Sequence, residues 1–264
     1  MKKSRVVLCC FILYLLMPAL QVRAVKEYGY TMPPHLIQTV SGQDIYEGML
    51  ALGMLECRVL EDADCGEAFE NVKDCVVRIN MGNAYGSGLI WELTEDRVIV
   101  ATNRHVLEYW RDADSYVFFS PGYYMDARIL GVSGEQDVGF LEIDNRQFTY
   151  SELEKLRYVC ADLQVCEHLV QGDEIFFAGS GPEAGEMLFY EAVVEDTHRY
   201  IADLGAYMLY GRGYARTGMS GGGIFDGYGH LVGMITGGTA QNEVAGVPLA
   251  DIVEAYEEAA GTAE

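Results

Sequence analysis

Ser220 lies in the run Thr217-Gly218-Met219-Ser220-Gly221-Gly222-Gly223, and a serine set among glycines is unusual packing material. Glycines let the backbone take conformations that a side chain forbids, so N–H groups beside the hydroxyl can converge on an oxygen that gains negative charge. The same composition also makes plain turns, and a serine hydroxyl needs a base before it becomes a nucleophile. Five histidines are available. His105 follows the apolar run Val98–Ala101 and then Thr102-Asn103-Arg104, so it stands where a strand ends and a helical turn over Val106–Trp110 begins. Element ends of this kind hold side chains rigidly. His35 follows two prolines, His168 falls near the end of a connecting segment, and His198 and His230 lie near turns, positions that suit solvated or structural roles. A lone His105 also reads as structural; its pairing with the serine motif turns the reading toward a general base. The third group must be a carboxylate, and position alone cannot select one among 40 acids. Asp137 opens Val138-Gly139-Phe140-Leu141-Glu142-Ile143, at the mouth of an apolar strand. A buried aspartate there can hold the imidazole tautomer and stabilise the imidazolium, whereas an exposed turn aspartate is the alternative.

Elements that can position these groups follow from the chain's texture. Val76–Asn80, Ser87–Leu93, Arg97–Thr102, Tyr116–Ser120, Arg128–Val132 and Val138–Ile143 are short β-type runs separated by turn residues, the pattern of a small barrel. Ser151 and Glu154 fit an S-x-x-E capping box, which predicts a helical connector through Leu156 and Tyr158. Strand-like runs resume at Glu174–Ala178, Met187–Val194, Ala206–Tyr210, Gly222–Phe225 and Leu231–Thr236, and Ala250–Ala259 reads as a closing helix. Ahead of the strands, apolar residues from Asp44 to about Glu61 recur at helical intervals, with Asp44 as the cap. The expected organisation is therefore a signal peptide at 1–24, a partly helical extension at 25–74, a first barrel at 75–145, a connector at 146–172, and a second barrel with a C-terminal helix at 173–264.

The N-terminus carries Lys2, Lys3 and Arg5, an apolar run from Val6 to Leu20, and Val22-Arg23-Ala24, which reads as a secretory signal cut after Ala24. Its apolar run is shorter than the roughly 20 residues that span a bilayer. Export followed by cleavage predicts a secreted or periplasmic protein with no stable membrane insertion. Cleavage removes four cations and no acid, leaving 14 Lys and Arg against 40 Asp and Glu, a net charge of −26. Such a surface repels phosphate backbones and anionic lipid, which excludes nucleic acid as a partner. Five cysteines remain, Cys57, Cys65, Cys75, Cys160 and Cys166. The exported setting favours oxidation, with Cys160–Cys166 or two of the first three close enough in sequence to pair, while buried free thiols are an equal alternative for any given pair and an odd number leaves one unpaired. None has zinc-site spacing.

In combination these segments resemble the trypsin-like peptidases, and within them the bacterial branch that includes the HtrA-type proteases. Gly86-Ser87-Gly88-Leu89-Ile90 is similar to the strand preceding that family's histidine, Thr102-Asn103-Arg104-His105-Val106 to its histidine motif, and Asp137-Val138-Gly139-Phe140-Leu141 to its aspartate motif. Gly218-Met219-Ser220-Gly221-Gly222 resembles the nucleophile loop, Leu231-Val232-Gly233-Met234-Ile235-Thr236 the strand bordering the substrate, and Gly246-Val247-Pro248-Leu249 the last strand. The resemblance implies an all-β fold of two six-stranded antiparallel barrels with the site between them. It implies a His105–Asp137–Ser220 triad, an oxyanion hole from the backbone N–H groups of Gly218 and Ser220, polypeptide substrates, and no metal or other cofactor. By loop alignment Tyr214 would lie at the base of the specificity pocket, with Thr236, Gly237 and Gly238 along its wall, favouring a small or apolar side chain. Met219 stands where digestive relatives carry an aspartate that pairs with a newly cut N-terminus, so no activation of that kind is expected. Gly223 stands where a proline is common. The peptide-binding module of many HtrA-type proteins is also not expected. The oligomeric state is not written in the sequence.

Two other readings compete. Gly218-Met219-Ser220-Gly221-Gly222 fits the G-x-S-x-G elbow of α/β-hydrolases, but those order serine, acid, histidine. Here the only histidine downstream is His230, with Asp226 between, which leaves no room for the intervening elements. The second is a trypsin-like fold that lacks catalysis and serves as a binding or scaffold protein.

Overall fold

The computed structural model of the chain describes residues 41–120 and 122–261. The signal-peptide reading of 1–24 and most of the lead-in at 25–43 lie outside the described residues. The chain divides into two compact units, one ending at Met54 and the other running from Leu55. In the first, helix α1 (Gly42–Ala51) begins with a capping box between Ser41 and Asp44. Asp44 is thus the third helical residue and Ser41 the cap, and the helix stops well before the expected Glu61 because the chain turns through Gly53 at φ +66.

The second unit opens with helix α2 (Cys65–Val72), capped by Asp64, whose carboxylate accepts the Glu67 N–H. Strands β1 (Val76–Met81), β2 (Ala84–Leu93), β3 (Arg97–Thr102), β4 (Ser115–Phe119), β5 (Tyr123–Met125), β6 (Arg128–Val132) and β7 (Gly139–Asp144) follow, with the short helix α3 (Arg104–Leu107) between β3 and β4. They form a seven-stranded antiparallel sheet in the order β5-β4-β1-β2-β3-β7-β6, curled but not closed. The sequence predicts six strands and a closed barrel; β5, three residues at the edge against β4, is too short to carry an alternation, and β6 and β5 do not pair.

The connector holds two brief helices, α4 (Tyr150–Leu153) and α5 (Leu163–His168). The capping box of α4 is made by Thr149 and Glu152, two residues ahead of the expected pair. Strands β8 (Glu174–Ser180), β9 (Met187–Ile201), β10 (Ala206–Gly213), β11 (Gly223–Asp226), β12 (Leu231–Gly238) and β13 (Glu243–Pro248) then close into a six-stranded barrel, β10-β13-β12-β11-β8-β9. Ile175, Phe177, Leu209, Ile224 and Val244 fill its interior. Their alternation along each strand puts one face inward, as period-two patterning requires. Helix α6 (Leu249–Gly261) follows and buries Ile252, Ala255 and Ala259 against Phe140 and Val247, joining the sheet and the barrel in one apolar cluster. The trypsin-like, mostly β arrangement expected from the sequence is thereby present.

Among the described residues no helix is long and apolar enough to cross a membrane. Cys57, Cys65, Cys75, Cys160 and Cys166 are all free thiols, so the expected disulfide has no counterpart in this structure.

Candidate active site

β3 pairs with β7 so that Thr102 faces Gly139, which brings the segment just before β7 alongside the segment just after β3. Asp137 and His105 meet there. Asp137 Oδ2 lies 2.8 Å from His105 Nδ1, and Asp137 Oδ1 accepts the His105 backbone N–H at 3.0 Å. With the carboxylate ionised, the proton sits on Nδ1 and leaves Nε2 with a lone pair. The imidazole is 41% exposed and Asp137 19%, so the ring faces open space while its anchor is mostly covered. The fully buried Asn103 stands at the N-cap position of α3 without bonding the helix through its side chain; its amide donates instead to the Asp137 carbonyl at 3.0 Å and to Thr236 Oγ1 at 3.3 Å, tying the sheet's acid segment to β12 of the barrel.

The loop that carries Ser220 connects β10 to β11. Gly218 and Gly221 take φ of +96 and +86, which a side chain rarely adopts. Space forbids a side chain as well: a Cβ at Gly221 would stand 2.1 Å from the Ser87 carbonyl oxygen, and one at Gly218 would stand 2.0 Å from the Tyr85 ring. Met219 is fully buried in the barrel cluster with Ile175, Phe177 and Ile224, so the position that carries an aspartate in digestive relatives is apolar packing here. Ser220 Oγ donates to the Thr236 carbonyl at 3.2 Å. Ser220 and His105 line one cavity of about 410 Å³ and do not hydrogen-bond to each other in this structure. The backbone N–H groups of Gly218 and Ser220 have no acceptor among the described residues.

The same cavity is walled by Met81, Tyr85, Ala215, Arg216, Gly237 and Gly238, with no Asp or Glu in its lining. Of the four residues expected around a specificity pocket, Gly237 and Gly238 are there. Thr236 instead lines a second cavity of about 400 Å³ on the Asp137 side of His105, with Asp203, Leu204 and Met208. Tyr214 stands apart from both, 49% exposed and packed edge to face on Tyr190 at 4.9 Å. The short loop between β10 and Ser220 carries it outward, where alignment by residue count could not follow. The Arg216 guanidinium, bonded to the Tyr190 hydroxyl, is held above its ordinary basicity by that contact.

Sequence reasoning passes over three contributors. Ser87, fully buried, donates through Oγ to the Gly218 carbonyl at 2.7 Å and through N–H to the Ser220 carbonyl at 2.8 Å. Thr102 Oγ1 donates to the Ser87 carbonyl at 2.7 Å, and Tyr85 caps the loop from above. The run Gly86-Ser87-Gly88 is the available signal: a small polar residue between glycines inside an apolar strand marks a close approach of another backbone. Among the described residues no group of three or more His, Cys, Asp or Glu could hold a metal ion.

Comparison with known proteins gives a match to the trypsin-like peptidase domain over residues 86–234, more than half of the chain. Among solved structures, the chain is similar to the HtrA-type protease AlgW with decapeptide, at 16% identity and a TM-score of 0.64, covering 76% of this chain and 68% of that one. A serine-to-alanine variant of AlgW with tripeptide aligns at 19% identity and a TM-score of 0.63, covering 74% of this chain and 63% of that one. No curated protein matches the sequence.

Proposed function

The chain belongs to the trypsin-like peptidase domain family, and on that premise we propose that it is an exported serine endopeptidase acting through Ser220, His105 and Asp137. The observation that carries the reading is the two-point contact of Asp137 with His105 beside a cavity that the imidazole shares with Ser220. The likeness of the fold to proteases solved with peptides supports polypeptide substrates.

In the proposed cycle a peptide lies across the cavity and the Ser220 hydroxyl swings from the Thr236 carbonyl to His105 Nε2. Nε2 takes the hydroxyl proton as Oγ bonds to the scissile carbonyl carbon, and the carbonyl oxygen takes the negative charge. Gly218 and Ser220 N–H donate to that oxygen, a contribution typically worth about a hundredfold to a thousandfold in turnover for one donor. The carbon–nitrogen bond then breaks, the amine leaves with the Nε2 proton, and the acyl group stays on Oγ. Water repeats the sequence: Nε2 takes its proton, its oxygen bonds to the acyl carbon, and Oγ departs with the proton returned. Asp137 keeps Nδ1 protonated and stabilises the imidazolium in each half. Ala215, Gly237 and Gly238 leave room in a lining without Asp or Glu, which favours an apolar side chain in the cavity, and Arg216 adds a cation at its wall.

Labelling with a fluorophosphonate probe tests the proposal. Wild-type protein is expected to label at one residue, with labelling lost in Ser220→Ala and strongly slowed in His105→Ala. A folded wild type that does not label would overturn the enzyme reading in favour of a scaffold role.

A further inference from the structure

The geometry points to Tyr85 as a positioning residue that holds the oxyanion hole open by fixing the direction of the Thr217–Gly218 peptide, an inference that rests on the serine-peptidase reading above. A trans peptide is planar with its C=O and N–H antiparallel, so whatever holds the carbonyl aims the amide the other way. Four consecutive peptides run from Thr217 to Gly221 through the nucleophile, and their polar groups can be accounted for one by one.

The Ser220–Gly221 peptide has its carbonyl on Ser87 N–H at 2.8 Å and its N–H on the Ile235 carbonyl at 2.9 Å. The Gly218–Met219 peptide has its carbonyl on Ser87 Oγ at 2.7 Å and its N–H on the Arg216 carbonyl at 3.1 Å. In the Met219–Ser220 peptide the carbonyl accepts Gly222 N–H at 2.8 Å and the Ser220 N–H is left over. In the Thr217–Gly218 peptide the carbonyl accepts the Tyr85 hydroxyl at 3.2 Å and the Gly218 N–H is left over. The two unmatched donors are those the mechanism needs, and both belong to peptides whose carbonyls are occupied.

These peptides are not held equally. Three are fixed by backbone groups or by buried Ser87, which other bonds hold in place: its carbonyl takes Thr102 Oγ1 and its Oγ takes Ser180 N–H at 2.8 Å. The Thr217–Gly218 peptide has only the Tyr85 hydroxyl on its carbonyl, and it precedes a glycine with φ +96, whose lack of a side chain leaves a peptide flip sterically cheap. A flip would put the carbonyl oxygen where the donor belongs and repel the developing oxyanion. Tyr85 is itself braced. The Arg78 guanidinium lies 3.8 Å from its ring centroid and is bonded to Asn80 Oδ1 and the Gly181 carbonyl, and ring atoms occupy the space that a side chain at Gly218 would need.

Tyr85→Phe removes the hydroxyl and keeps the ring, its stacking on Arg78 and its cover over Gly218. With a fluorogenic peptide, kcat is expected to fall about tenfold, the loss of one hydrogen bond that acts in the transition state, with KM nearly unchanged. Affinity for a peptide aldehyde, whose tetrahedral adduct on Ser220 places an oxygen in the hole, is expected to fall by the same factor. A purely structural role would lower the melting temperature and leave both intact. A wild type that labels with fluorophosphonate while Tyr85→Phe matches it in kcat and aldehyde affinity overturns the inference alone. A wild type that fails to label overturns the underlying peptidase reading as well.

Discussion

Asp137 grips His105 at two points, Oδ2 on the ring Nδ1 at 2.8 Å and Oδ1 on the main-chain N–H at 3.0 Å. Both of the contacted groups are donors when Nε2 is to serve as base, so the partner must be an acceptor on both oxygens. The same carboxylate therefore orients the ring and sets the start of α3 that carries it.

An asparagine cannot reproduce that arrangement in either amide orientation. With its NH₂ toward the ring, Nδ1 must accept, which moves the proton to Nε2 and removes the base; with its NH₂ toward the main chain, two N–H donors collide. Asp137→Asn is accordingly expected to lower kcat by about four orders of magnitude. Stability should drop by only about 1 kcal/mol for the lost hydrogen bond. Steady-state cleavage of a fluorogenic peptide alongside a thermal melt checks both. Retention of more than a tenth of wild-type kcat would contradict the role assigned to Asp137.

Two glycines of the cleft make opposite predictions. Gly221 has φ +86 and a Cβ there would meet the Ser87 carbonyl oxygen at 2.1 Å and Thr102 Oγ1 at 2.4 Å, both of them anchored. Gly221→Ala is expected to cost more than about 2 kcal/mol and to abolish activity by pushing the loop off β2. At Gly237 an added methyl would have nothing within 4 Å, so Gly237→Ala should leave stability unchanged. Because Gly237 lines the cavity beside Ser220, that methyl takes substrate space, and KM should rise for bulky side chains and hold for small ones. Chemical denaturation and a peptide-library digest separate the two effects; equal outcomes for the two variants would refute these roles of the two glycines.

How far the sequence carries this site depends on whether the information is local. The break between an apolar run and polar residues places His105 at a strand end and Asp137 at a strand mouth, and the β3–β7 pairing brings those two ends together. Gly218 and Gly221 are likewise visible because their conformation is written in the residue type itself. The caps of α1 and α4 fall two or three residues ahead of the expected positions, since Ser41 and Thr149 are equally good acceptors. Tyr214, expected at the base of the pocket, lies outside the cavity lining, and Tyr85 and Ser87 are missed, for a different reason. The roles of Tyr85 and Ser87 depend on contacts across more than a hundred residues of chain, which no spacing rule reports.

The buried Cys75 thiol and the partly buried thiols of Cys65, Cys160 and Cys166 give a prediction on the alkaline side. Burial pushes Cys65 and Cys166 up to about 11, and burial followed by the Glu56 carboxylate pushes Cys160 up to about 12. Burial, then a hydrogen bond with Cys57, raises Cys75 well above the thiol range, and burial with a bond to Glu92 raises the Tyr256 phenol. In the unfolded chain thiols ionise near about 8.5. Below that pH both states keep these protons, and their contribution to stability is fully present. Above it the unfolded chain sheds protons that the folded chain retains, so unfolding becomes more favourable as pH rises. The loss continues until the folded thiols ionise, at about 11 to 12. Thermal melts in reductant are thus expected to be flat from neutral pH to about 8.5 and to fall steadily above it. Iodoacetamide should react slowly with the native protein and rapidly in urea. A melting temperature unchanged between pH 9 and 11 would show that the fold does not hold these thiols protonated.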